Sequence, residues 1–301
     1  MNFIVKIFSV FTLIFLVLSC DKPSPTELID DSNQSENFQV EVISKDTEDE
    51  FYSNGFDTSG VVQTEISSII SITGGKFSFQ GQTEKFSLAQ TIIFDKNNPV
   101  YNSSGKLIAY KTITPGSIKF NNLMCRLVDF RIRYRDAGQI VDTLLGKKYT
   151  LYKGRGYFQD NFDFPYNSFV SFTFNPLVGP TINFNIPTPS EVNGSVIFEG
   201  NRNEKNLRAV LQWNASYNSY FSIVIGAAKR NSQDVFPLYR IKTQDDGSLI
   251  IPPKLLLNIS RDRFDKFVFT FIRSYDNRSN IDNQNVFISS QSIHTIYVAL
   301  P

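Results

Sequence analysis

The chain has 301 residues, with 30 Lys and Arg against 29 Asp and Glu, one histidine and two cysteines. A net charge of +1 gives no global drive toward nucleic acid, and neither a recognition-helix pattern nor an RNA-binding aromatic motif is present, so no nucleic-acid partner is expected. One His and so few Cys cannot assemble the usual closed zinc ligand set, so no metal or cofactor is expected either.

Lys6 precedes an apolar run, Ile7 to Leu18, interrupted only by Ser9 and Thr12 and followed by Ser19 and Cys20. A charged start, a short apolar stretch and a small residue before a cut site are the layout of a secretory signal peptide over residues 1–19. At about twelve residues the run falls short of the roughly 20 that span a bilayer. Val17-Leu18-Ser19-Cys20 resembles the lipobox of bacterial lipoproteins, although Leu18 stands where a smaller residue is commoner. The resemblance implies cleavage before Cys20, diacylglycerol on its thiol and acylation of its amine, anchoring the chain to a bacterial envelope, at the outer membrane on its periplasmic or surface face. Two or three acyl chains, at about 0.8 kcal/mol per buried CH₂, suffice for stable attachment. An ordinary signal peptide or an uncleaved anchor is the alternative.

With Cys20 lipidated only Cys125 remains, so no internal disulfide is available and the body must be held by burial alone. Residues 21–50 carry ten carboxylates and two lysines, a net charge of −8. Few large apolar groups interrupt them, so residues 20–50 are expected to form a disordered acidic tether. From Phe51 onward the balance is +8, of which residues 126–155 supply +5.

Beyond residue 60 the dominant pattern has period two, the period of a strand with one buried face. Phe77 and Phe79, then Val170, Phe172 and Phe174, then Ile182, Phe184 and Ile186 all alternate with polar residues. Further runs at Ala209-Leu211-Trp213, Phe221-Ile223-Ile225, Phe267-Phe269-Phe271 and Ile296-Val298-Leu300 are less one-sided and suit strands at the centre of a sandwich. Thr73-Gly74-Gly75-Lys76 and Asp246-Gly247 are the expected hairpin turns, and Pro253–Asn258 the expected short helix. The fold class is all-β, with two β-sandwich domains at 51–177 and 178–301 meeting at Asn175–Pro180. A strand ending in Trp213, paired with one at Phe221, resembles fibronectin type III and immunoglobulin-like modules over about the last 120 residues. That resemblance implies an architecture and no activity.

Of the candidate sites, the row Arg131, Arg133 and Arg135 is the sharpest. In a strand these lie on one face about 6.6 Å apart, opposite Phe130, Ile132 and Tyr134. With Lys147 and Lys148 they form a candidate anion-binding surface for acidic polysaccharide; the competing reading is a solvated face paired with Asp129 and Asp142. His294 and Cys125 read as structural. Asp160 with Asp163 offers a hydrolase pair or a calcium loop, and Asp276, Asn277, Asn280, Asp282 and Asn283 offer calcium oxygens, but neither group has calcium-loop spacing and both read first as turn residues. Trp213, Tyr217 and Tyr220 offer faces for stacking on sugar rings. The expected function is a non-enzymatic binding or assembly role, in contact with acidic polysaccharide or envelope proteins; a glycan-binding module and a carboxylate hydrolase are the alternatives.

Overall fold

A computed structural model describes residues 38–42, 66–155, 159–216, 219–229, 235–281 and 284–301. The signal-like segment, Cys20, Tyr217, Asp282 and Asn283 lie outside these residues, as do the side chains of Arg133 and Arg135.

The all-β expectation holds. In chain order the strands are β1 Gln39–Val42, β2 Ser68–Phe79, β3 Gln82–Tyr101, β4 Leu107–Thr112, β5 Gly116–Phe120, β6 Leu123–Met124, β7 Arg126–Asp136, β8 Gln139–Lys153 and β9 Phe169–Pro176. They continue with β10 Ile182–Pro187, β11 Gly194–Glu199, β12 Arg208–Trp213, β13 Tyr220–Ala228, β14 Val235–Thr243, β15 Ser248–Ile251, β16 Lys266–Ile281 and β17 Gln284–Ala299. The short helix α1, Pro253–Leu257, starts with proline as expected and buries Leu255 and Leu256.

Ten strands form one sheet in the order β1-β14-β13-β16-β17-β2-β3-β8-β7, with β4 joined to β3. A four-stranded sheet, β10-β9-β5-β6, and a three-stranded sheet, β11-β12-β15, complete the fold. Register places Ile70, Gly74, Lys76, Ile288, Ser292 and His294 on one face of the large sheet, together with Phe271 and Arg273. Both small sheets lie against that face. The four-stranded sheet packs Phe120, Val170 and Phe172 over Ile70, Ala89, Leu151 and Ile288. The three-stranded sheet brings Phe198 and Trp213 against Phe267, Phe269, Phe271 and Phe221. The other face of the central strands is buried too, with Ser71, Thr73, Thr270, Ser289 and Thr295 beside Ile69 and Ile293. This two-sided burial accounts for the loss of clean alternation in β16 and β17.

Layering across a shared sheet changes the expected division. Residues 51–177 and 178–301 do not form separate sheets: β2 pairs in parallel with β17 over twelve residues, and Val286 and Ile288 complete the core beneath the four-stranded sheet. The segment Asn175–Pro180 is the turn between β9 and β10 instead of an interdomain link. Phe221 is likewise not a strand partner of Trp213, since it lies across the layers with ring centroids 4.5 Å apart. Within the acidic stretch, β1 pairs antiparallel with β14 and buries Val40, so the spacer does not extend over those four residues.

Turn chemistry departs from expectation for a physical reason. Gly74 and Gly75 lie inside β2, where a Cβ on Gly74 would come within 2.4 Å of the Phe164 ring and one on Gly75 within 2.6 Å of the Phe86 ring. They are there to admit aromatic rings. The chain reverses at Gln80-Gly81, with φ of 49° and 79°, and at Ala137-Gly138, with φ of 48° and 83°. Both pairs have the positive φ values that two-residue hairpins of matching twist require. Gly247 does turn, at φ 102°, but it carries the chain from the large sheet to the three-stranded one and joins no hairpin.

Candidate functional site

Of the basic row, Arg131 lies on the exposed side of β7, with Phe130 buried. Arg131 and Lys147 have acidic partners. Arg131 Nε donates to Asp142 Oδ1 at 2.6 Å, and Lys147 Nζ donates to Asp129 Oδ1 at 2.7 Å. The Lys147 hydrogen bond, more than its charge, holds the Asp129 carboxyl below its ordinary range. Lys148 is not part of this surface. It follows Lys147 on a strand and so faces the other way, donating to Gln90 Oε1 at 2.9 Å with its ammonium 5.7 Å from the centre of the Phe130 ring. Arg133 and Arg135 occupy β7 positions opposite Asp142 and Ile140. Further along, Lys153 is gripped by both oxygens of Asp163 at 2.7 Å, and Arg155 meets Glu84 at 3.2 Å. Arg126, Arg131, Lys147, Lys153 and Arg155 are thus each paired with a carboxylate.

The carboxylate candidates serve the scaffold. Asp160 accepts the backbone N–H of Tyr152 at 2.8 Å and Arg126 Nε at 3.1 Å, while Asp163 lies exposed beside Lys153. Asp276 is a strand residue that accepts the hydroxyls of Ser289 at 2.6 Å and Ser274 at 3.3 Å. Among the described residues no group of three or more His, Cys, Asp or Glu converges to hold a metal ion. Cys125 is buried, and desolvation followed by the nearby Asp160 charge pushes its thiol up to about 12. Trp213 is buried with its indole N–H on Asp245, so its face is not open to a sugar; Tyr220 is exposed.

His294 sits where the linker between β10 and β11 crosses the large sheet. Its Nδ1 accepts the backbone N–H of Gly194 at 2.9 Å. The imidazole proton is therefore on Nε2, which donates to Ser78 Oγ at 2.8 Å. In this tautomer His294 has no lone pair for the Ser78 proton, so the pair is not an activated nucleophile. Burial, then the Lys76 charge, lower the imidazole to about 4, against an opposing pull from Glu191. Lys76 Nζ in turn bonds Glu191 Oε1 at 3.1 Å and Asn193 Oδ1, tying the same linker down.

A second buried hub went unnoticed in the sequence. Arg273 and Asp245 form a fully buried bidentate pair, with Ser219 and the Trp213 indole also donating to Asp245. Arg273 additionally donates to Ser190 Oγ at 2.9 Å and to the Asn214 carbonyl. The signal was parity: Phe267, Phe269 and Phe271 face inward, and Arg273 continues their row.

A cleft of about 80 Å³ lies between the large and four-stranded sheets. Ile70, Thr91, Ile93 and Val286 form its floor, and Ile118, Phe172, Phe174 and Phe184 its roof. None of its described lining residues carries a charge. Thr91 is 2% exposed, and its hydroxyl has no hydrogen-bond partner. Sequence reading missed this cleft because its walls come from seven strands whose spacing only the folded sheets define.

Comparisons with protein-family models, with curated proteins and with solved structures find no match to this chain.

Proposed function

We propose that the chain is an exported envelope lipoprotein that acts by binding and not by catalysis. Lys6, the apolar run and Cys20 support the export and anchoring half of this reading. The binding half is carried by one observation, the cleft roofed by the four-stranded sheet, whose described lining residues offer apolar surface and an unpartnered Thr91 hydroxyl but no titratable group. General acid–base or nucleophilic chemistry needs such a group within reach of the substrate. Among the described residues no helix is long and apolar enough to cross a membrane. In this reading lipid on Cys20 attaches the chain.

Growth with labelled palmitate tests the anchor. The wild-type chain should take up label and the Cys20→Ala chain should not. Label on both, or on neither, overturns the lipoprotein reading.

A further inference from the structure

We infer that the cleft is a binding site for an uncharged amphiphile: a short alkyl chain or single ring bearing one hydroxyl or carbonyl group. The inference rests on the binding reading above and is independent of the anchor at Cys20.

Three observations define the ligand. Apart from Ser68, Thr91 and Gln284 the described walls are aliphatic and aromatic, from Ile70, Ile93 and Ile118 to Phe172 and Phe184, so the body that fills them is largely apolar. A buried hydroxyl without a partner costs about 1–3 kcal/mol. Thr91 lines the cleft and its Oγ1, which has almost no accessible surface in this rotamer, is such a group; a ligand with one hydrogen-bonding atom gives it a partner once the side chain turns toward the cleft. Because none of the described lining residues is charged, an ionised carboxylate, phosphate or amine would enter without compensation from them, at a cost that an uncharged group does not meet. The volume, about 80 Å³ against the roughly 30 Å³ share of one liquid water molecule, suits a chain or ring of a few carbons better than water alone.

The entrance supports the same chemistry. Phe174 and Ile182 are the last paired residues before the β9–β10 turn, and both line the cleft. The turn beyond them presents Leu177 and Val178, 83% and 90% exposed, and its Leu177 N–H bonds the Pro115 carbonyl at 2.8 Å. Ile113, also exposed, pairs with the backbone of the lining residue Ile93 at 2.9 Å. Apolar side chains offered to solvent beside an apolar cleft suit uptake from an apolar surface.

Isoleucine methyl NMR of the purified mature protein in lipid nanodiscs tests the site directly, since Ile70, Ile93, Ile118, Ile182 and Ile281 all line it. Hexan-1-ol should shift these methyls saturably, and hexanoate at pH 7 should bind at least about tenfold more weakly. Thr91→Val, which keeps the shape and removes the hydroxyl, should weaken hexan-1-ol about fivefold. Ile182→Trp, at the open edge where added bulk is tolerated, should abolish the shifts while the remaining spectrum stays that of the folded protein. Shifts that survive Ile182→Trp, or a Thr91→Val chain that binds hexan-1-ol unchanged, overturn the assignment. If hexanoate saturates these methyls and hexan-1-ol does not, the ligand class falls and the binding reading stands. If neither ligand perturbs them, both fall.

Discussion

The guanidinium of Arg273 and the carboxylate of Asp245 meet in two parallel hydrogen bonds, Nε to Oδ2 at 2.7 Å and Nη2 to Oδ1 at 2.9 Å, with no side-chain surface left to solvent. Arg273 comes from the large sheet and Asp245 from the chain crossing to the three-stranded sheet, so the pair fastens one layer to the other. Removing one partner strands a charge in the interior. Arg273→Met or Asp245→Asn should each lose about 3–5 kcal/mol in urea unfolding, with little dependence on salt. Arg131→Ala, which breaks the exposed pair with Asp142, should stay within about 1 kcal/mol of wild type.

His294 makes stability depend on pH in a defined window. In the unfolded chain an imidazole titrates near 6.5, and in the fold burial brings it to about 4. Between these values the unfolded chain holds more protons, so stability rises with pH. The contribution is complete above about 6.5, fades as pH falls toward about 4 and is flat below. After allowance for solvent screening it amounts to about 2 kcal/mol. Urea midpoints measured from pH 7.5 to 4 should show this fall, and a His294→Gln chain should show a smaller one.

Glycines of two kinds are separable by substitution. Gly74→Ala drives a Cβ into the Phe164 ring and should cost about 1–3 kcal/mol, with the near-ultraviolet aromatic signal altered. Gly81→Ala meets nothing within 4 Å and should cost only the strain of its positive φ, about 1 kcal/mol. Thermal unfolding of the two variants should therefore give clearly different shifts.

Cys125 should be silent toward thiol reagents. With its pKa raised to about 12 and its side chain buried, it holds almost no thiolate at pH 8. Ellman's reagent should leave it unlabelled in the native protein and titrate it on addition of denaturant.

Much of the strand content was legible because half-buried strands write their faces as alternation: Val170, Phe172 and Phe174 point inward as read, and so do Ile182, Phe184 and Ile186. The helix at Pro253 was legible from a proline that needs no N–H at that position. The glycine pair at 74–75 was misread because sequence does not separate a glycine that turns the chain from one that makes room for a ring. The reversal at Ala137-Gly138 escaped notice for the converse reason, since alanine rarely marks a position of positive φ. Asp142 and Asp129, anticipated as acidic neighbours of the basic row, pair with Arg131 and Lys147. The face on which Lys148 lies became visible only with the register of β7 and β8.

The position of β17 has a further consequence. This strand, made after the sixteen other described strands, lies between β16 and β2, and its Val286 and Ile288 fill the core above which β5, β9 and β10 are laid. Order of synthesis and order in space thus run against each other. A growing polypeptide halted anywhere before residue 286 has an oily gap at its middle and two sheet margins with nothing between them. Such a nascent chain exposes apolar surface and unpaired strand margins until its last strand is made.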